Sequence, residues 1–147
     1  MRRRFALWLA FSAAAWGAAG CDNPPADSPA RATQQRLVGT WLREFQEDGV
    51  RVRRVLVLQA DGHFGETVRI IDAAGAVTEH SHGGEWLYDG TNLKRRYTRM
   101  DGERPSAPLV PYATFEISFP TKAEFVGIDR IRRREVRYQR VAEGTVA

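Results

Sequence analysis

The sequence predicts an all-β protein, a single small antiparallel barrel of about eight strands in up-and-down order. Short runs rich in Val, Ile, Phe, Tyr and Trp alternate with turn residues, as in β-sandwiches and barrels. No apolar stripe of helical period has a useful length, and no long-period repeat is present. Nearly all connections are short, which favours the up-and-down order. Closing such a sheet removes its exposed edges, so a barrel is the expected architecture.

The turn residues set the order of the strands. Asp61-Gly62 tolerates positive φ and predicts a hairpin between the second and third runs. Gly83-Gly84 interrupts the fourth run, where a bulge would let the strand bend. The segment 101–111 contains three prolines and is expected to be a loop. The predicted strands are 37–45, 51–59, 63–71, 76–89, 92–100, 112–120, 123–128 and 131–141.

The N-terminus has the pattern of an export signal. Three arginines at positions 2–4 precede an apolar stretch that ends in small residues, which predicts a signal peptide over 1–20. The apolar stretch is shorter than the ~18–20 residues of a membrane-spanning helix. "AAGC" at 18–21 resembles a bacterial lipobox, and this resemblance implies that Cys21 is acylated and becomes the new N-terminus. Ordinary signal cleavage at the same bond is the alternative.

Two observations favour the lipid anchor over plain secretion. Cys21 is the only cysteine, so an internal disulfide cannot explain it in an exported protein. The segment 21–35 is polar and rich in proline, as expected of a flexible tether. Acyl chains such as palmitate would hold the protein on a membrane, at about 0.8 kcal/mol for each buried CH₂. Asp22 resembles an inner-membrane retention signal, which implies the periplasmic face of the inner membrane rather than the outer membrane.

The positive charge of the chain comes largely from the signal peptide. The formal net charge is +4, with 22 basic and 18 acidic residues. Removing the three arginines at positions 2–4 leaves 19 basic residues against 18 acidic ones. The mature protein is therefore close to neutral and has no long-range field that would attract a polyanion. We expect no nucleic-acid partner.

Four short motifs resemble the bacterial lipocalin-like domains. They are "LVGTW" at 37–41, "ADGHFGE" at 60–66, "GGEWLYDGTNL" at 83–93 and "YQRV" at 138–141. The resemblance implies a calycin-type barrel over 36–141, followed by a C-terminal tail over 142–147. It also implies that Gly39 and Trp41 close one end of the barrel beneath an arginine of the last strand. Arg140 is the first choice for that arginine and Arg137 the second, and a cation–π contact would hold the pair.

The barrel interior is the strongest candidate for a binding site. An eight-stranded barrel is just wide enough to fill with side chains or to hold one small ligand, and both possibilities stay open. Period-two alternation puts Arg95 and Arg99 on the same face as Tyr97. A buried guanidinium needs a partner, which would be a carboxylate such as Glu66 or Glu85, or an anionic ligand. The candidate ligand-binding residues are Phe64, Trp86, Tyr88, Arg95, Tyr97, Arg99, Phe115, Ile117 and Tyr138.

Signatures of catalysis and of metal binding are weak. The chain contains no GxSxG, no HExxH and no phosphate-binding glycine loop, so we expect that it is not an enzyme and needs no cofactor. His80 and His82 lie two residues apart on a predicted strand and would face one side, with His63 as a third imidazole. Exposed strand histidines are the alternative, and we predict no metal.

The predicted function is non-catalytic binding of a small hydrophobic or amphipathic ligand in or at the mouth of the barrel. The ligand would be anionic if the interior arginines bind it. The alternative is an accessory protein with a solidly packed barrel that docks on an envelope complex. Leu109 and Val110 lie between prolines of the loop and would serve as a lid over a ligand or as a docking epitope.

Overall fold

The computed structural model describes residues 28–106 and 111–147 and shows a closed antiparallel barrel. Each strand pairs with the next one along the chain, and β1 pairs with β8 to close the sheet. This confirms the predicted eight-stranded, up-and-down barrel. The elements are α1 (Pro29–Leu37), β1 (Gly39–Glu47), β2 (Val50–Leu58), β3 (His63–Ile71), β4 (Val77–Tyr88), β5 (Asn92–Met100), β6 (Tyr112–Thr121), β7 (Glu124–Asp129) and β8 (Arg134–Val141).

The barrel has two different ends. The connections β2–β3, β4–β5 and β6–β7 share one end with α1, which we call the closed end. The connections β1–β2, β3–β4, β5–β6 and β7–β8 lie at the other end, which we call the open end. The β1–β2 turn shows why these hairpins form. Asp48 and Gly49 both have positive φ, 49° and 79°, and this conformation matches the twist of the flanking strands.

The helix α1 was not predicted, and it replaces part of the expected tether 21–35. Ser28 caps it by accepting a hydrogen bond from the amide of Arg31 at 3.2 Å, and Pro29 occupies its first turn. Leu37, at its last turn, is fully buried. Residues 29–35 therefore belong to the folded domain. Polar residues dominate the segment, so it has no stripe of apolar residues with helical period that would predict the helix.

The N-terminal segment and the tip of the β5–β6 loop lie outside the residues that the structure describes. The predicted signal peptide 1–20 and the anchor residue Cys21 lie outside the described residues, and so do Leu109 and Val110. Within the part of the chain that the structure describes, no helix is long and apolar enough to span a membrane.

A bulge interrupts the pairing of β4 with β5, as Gly83-Gly84 predicted. Gly84 pairs with Tyr97 but Gly83 pairs with Arg99, so Thr98 is an extra residue on β5. Tyr97 and Arg99 consequently face opposite sides of the sheet. The prediction that Arg99 points inward with Tyr97 is therefore wrong, and Arg99 is exposed.

Large side chains fill the closed half of the barrel. The Trp41 ring meets Phe125 edge-on, with ring centroids 4.7 Å apart, and Phe125 stacks on Tyr138 at 4.9 Å. Leu37 of α1 belongs to the same core. The other buried members of this core are Leu56, Leu58, Phe64, Trp86, Leu93, Phe115 and Val136.

The predicted tail 142–147 folds back over the outer face of β2. Arg53 donates a hydrogen bond from Nε to the carbonyl oxygen of Val146 at 3.0 Å. The last three residues line a groove of about 900 Å³ together with Val55 and Val57. This cover explains why Val55 is buried although the alternation of β2 turns it outward.

Candidate ligand site at the open end of the barrel

The closure residues predicted at the other end of the barrel lie together. The Arg140 guanidinium stands 4.2 Å from the centroid of the Trp41 ring and donates to the carbonyl oxygens of Val38 and Arg36. Gly39 has a φ of 136°, and a Cβ there would overlap the Arg140 guanidinium. The second choice, Arg137, faces outward and pairs with Glu124.

A buried ion pair occupies the centre of the barrel. The Glu66 side chain is 0 % exposed, and its Oε1 lies 2.7 Å from Nη1 of Arg95, which is 3 % exposed. Glu66 Oε2 lies 3.0 Å from Nη1 of Arg54 and accepts a hydrogen bond of 3.4 Å from the Tyr97 hydroxyl. The expected carboxylate partner of Arg95 is therefore Glu66. The other candidate, Glu85, pairs with Arg96 on the outer face.

The central groups keep their charges at neutral pH. Burial by itself would raise the pKa of Glu66, but Arg95 and Arg54 outweigh it and hold that pKa below its ordinary value. Burial would likewise lower the pKa of Arg95, and Glu66 outweighs it so that the pKa is raised. Burial raises the pKa of Tyr97 to about 12, so its hydroxyl stays protonated and can donate.

Arg43 adds a further cation on the inner face towards the open end. It lies two residues beyond Trp41 on β1, is half-buried, and stands 4.4 Å from the Phe45 ring centroid. Burial lowers the pKa of Arg43, and the nearby Arg54 and Arg134 lower it further, with Tyr138 acting in the opposite direction. None of the carboxylates in the described ranges lies within ion-pair distance of Arg43.

The interior therefore carries an excess of positive charge. Glu66 pairs with both Arg95 and Arg54, and Arg43 lies beyond them without a carboxylate partner among the described residues. The Arg54 side chain is 26 % exposed and Arg43 is half-buried, so both guanidinium groups remain in partial contact with solvent. A partly desolvated guanidinium without a carboxylate partner can bind an anion.

The candidate ligand-binding residues divide between different parts of the barrel. Phe64, Trp86, Phe115 and Tyr138 lie in the core, Arg95 lies at the centre, and Tyr88 and Ile117 pack partly buried against the core. Tyr97 packs edge-on against Phe64 at 5.1 Å, and Arg99 lies outside. Sequence reasoning missed Arg43 and Arg54. Both were recognisable from alternation, because Arg43 follows Trp41 by two residues and Arg54 precedes Leu56 by two.

The two strand histidines share one face, as predicted. The rings of His80 and His82 stack with their centroids 6.0 Å apart, and Nδ1 of His80 lies 2.9 Å from Oδ2 of Asp101. His63 does not join them, because it pairs with Asp61 beside the β2–β3 turn. Among residues 28–106 and 111–147, no group of three His, Cys, Asp or Glu side chains is placed to hold a metal ion.

No protein-family model matches this chain, and no curated protein matches it. The burial and the charge balance at the open end are therefore the observations that bear on its function.

Proposed function

We propose that this protein is a membrane-anchored envelope lipoprotein that binds, without catalysis, a small amphipathic ligand with an anionic head group. The head group would sit at the open mouth of the barrel, against Arg43 and Arg54. One observation carries this proposal. Arg54 and Arg95 share the Glu66 carboxylate, Arg43 has no carboxylate partner among the described residues, and both Arg43 and Arg54 are partly exposed to solvent.

The chemistry of the mouth suits both halves of such a ligand. A carboxylate or phosphate oxygen can accept two parallel hydrogen bonds from a guanidinium, and these bonds strengthen where water is partly excluded. Phe45 and Val52 face each other across β1 and β2 and line a groove of about 410 Å³ at this end. Their apolar surface would contact the chain or ring that carries the head group.

The ligand is expected at the mouth rather than deep in the barrel. The Arg95–Glu66 pair fills the centre, and the aromatic core fills the closed half. A ligand deep in the barrel would gain nothing, because the interior there is already paired and packed. A ligand at the mouth would give Arg43 an anionic partner.

The anchor and the family belong to the same proposal. The signal-like N-terminus and the single Cys21 support acylation at Cys21 and attachment to the periplasmic face of the inner membrane. The up-and-down order and the contact between Trp41 and Arg140 support a lipocalin-like, calycin-type barrel.

A pair of dyes that differ by one charged group tests the mouth. The sulfonate 1-anilinonaphthalene-8-sulfonate and the uncharged N-phenyl-1-naphthylamine would be titrated against the protein, Arg43→Gln and Lys122→Gln. Lys122 is the control, because it is exposed in the turn between β6 and β7 at the closed end. Loss of a charge-assisted contact should weaken sulfonate binding about tenfold or more in Arg43→Gln and spare the uncharged dye. Equal effects on both dyes, or no effect, would contradict the proposal.

An interaction module without a ligand is the second candidate, and the filled closed half of the barrel favours it. Native mass spectrometry of the protein purified gently from its host distinguishes the two. A lipid-sized mass that co-purifies and is lost on denaturation supports the ligand. A protein without such a mass that also fails to bind the sulfonate dye supports the interaction module.

A further inference from the structure

The turn between β7 and β8 presents an isoleucine to solvent among arginines. We call residues 130–134 the β7–β8 tip; its sequence is Arg-Ile-Arg-Arg-Arg. Ile131 is 91 % exposed, more than any other large hydrophobic residue among those described. Two further exposed apolar residues, Ile128 and Tyr112, lie on β7 and β6 beside this end of the barrel.

The exposure of Ile131 is fixed by the geometry of the turn. Asp129 is buried, and its Oδ1 accepts hydrogen bonds from the amides of Ile131 and Arg132, each at 3.0 Å. Its Oδ2 lies 3.1 Å from Nη1 of Arg132. Arg133 adopts a positive φ of 50°, which completes the turn. The backbone therefore holds the isoleucine side chain outward.

The arginines of the tip give it a positive surface. Arg130 pairs with Glu116 and Arg132 pairs with Asp129. Arg133 and Arg134 have no carboxylate within ion-pair distance in the described ranges. Two cations without a carboxylate partner among the described residues thus follow a protruding apolar side chain within the same turn, at the rim of the mouth.

We infer that the β7–β8 tip docks the open end of the barrel on an anionic lipid membrane. An isoleucine can enter the boundary between head groups and acyl chains while the arginines bind phosphate oxygens. A protein partner fits less well. One protruding turn offers far less than the ~800 Å² per partner of a stable protein interface, whereas membrane contact needs only an apolar wedge and cations. This inference does not depend on the ligand site, although docking would bring the mouth against the lipid.

A fluorescent label at the tip tests the inference directly. The chain has one cysteine, so Cys21→Ser removes the candidate acyl anchor and leaves Ile131→Cys as a unique labelling site. The label is the environment-sensitive dye NBD. Leu87→Cys in the same background is the matched control, because Leu87 is exposed on the outer face of β4. Vesicles of phosphatidylcholine would be compared with vesicles in which roughly a third of the lipid is phosphatidylglycerol.

On the anionic vesicles, we expect the fluorescence intensity of NBD at position 131 to rise and its emission to shift to the blue. The emission of NBD at position 87 should not change. Adding Arg133→Gln should raise the lipid concentration at the half-maximal fluorescence change by about fivefold. Lys122→Gln at the closed end should leave that concentration unchanged. The inference is wrong if the dye at 131 stays in water on anionic vesicles, responds equally to neutral ones, or responds no more than the dye at 87. Dye titrations with Arg43→Gln report on the ligand site alone, so the two proposals fail separately.

Discussion

Replacing Glu66 by glutamine removes the carboxylate that neutralises the centre of the barrel. The substitution keeps the size of the side chain, so the packing changes little. It leaves Arg95, whose side chain is 3 % exposed, as a buried cation without a counter-charge. Arg54 loses the same partner but can turn towards solvent, because it is 26 % exposed.

The expected loss follows from the burial of the pair. Breaking a buried ion pair by removing one partner costs about 3–5 kcal/mol, and we expect the lower half of that range because the glutamine oxygen can still accept a hydrogen bond. Natural domains are stable by about 5–15 kcal/mol, so the loss is a large share of the total. With an m-value of about 1.5 kcal/mol per molar urea, the unfolding midpoint should fall by roughly 2 M.

Urea denaturation followed by tryptophan fluorescence measures this loss. Glu85, on the neighbouring strand β4, supplies the control. Glu85→Gln removes the same kind of carboxylate from Arg96, but that pair is about half exposed on the outer face. We expect Glu85→Gln to cost no more than about 1 kcal/mol. Adding Arg95→Met to Glu66→Gln should recover part of the stability, since it removes the uncompensated charge. The reasoning is refuted if the two glutamine variants are equally stable.

Acid titration of the same variants gives a second measurement. The pKa of Glu66 is lowered in the folded protein, so its contribution to stability is complete above the ordinary carboxyl pKa of about 4.3. It is lost as the pH falls further, through the folded pKa. The difference in unfolding free energy between the unmodified protein and Glu66→Gln should therefore be constant near neutrality and shrink in acid. A difference that grew on acidification would contradict the assignment.

Three further substitutions test the bulge, the closure and the anchor. A Cβ at Gly84 would overlap the carbonyl oxygen of Arg96, so Gly84→Ala should cost about 1–3 kcal/mol in thermal or urea unfolding, while Gly65→Ala, with open space around it, should be near neutral. Trp41→Ala should cost about 3–5 kcal/mol, and an unchanged melting temperature would rule out the contact with Arg140 as a closure. Cys21→Ser should move the protein from the membrane fraction to the soluble fraction on cell fractionation, and full membrane retention would remove the anchor.

The barrel could be predicted because its signals are local. Each strand alternates with period two, and turns such as Asp61-Gly62 fix where one strand ends and the next begins. The predicted and observed strands agree within a few residues. The helix α1 was not predicted because only its last turn buries an apolar residue, Leu37. The stability of the helix therefore depends on the barrel that it covers.

The error at Arg99 has a geometric origin. The pair Gly83-Gly84 predicted a bulge but did not indicate which of the two paired strands carries the extra residue. The structure places that residue, Thr98, on β5. One extra residue reverses the alternation beyond it, so a single unpredicted position moved Arg99 from the inner to the outer face.

Arg43 and Arg54 were not predicted as site residues for a different reason. The net charge of the whole chain does not show how the charges divide between the inner and outer faces of the barrel. The mature chain is almost neutral, which suggests an ordinary balanced surface. The barrel separates the charges. Acids such as Glu85 and Glu124 pair with arginines on the outer face, whereas Glu66 is shared by two interior arginines while Arg43 has no carboxylate partner within the described residues. An excess that is invisible in the sequence total thus becomes concentrated at the mouth, where a partly desolvated cation attracts an anion most strongly.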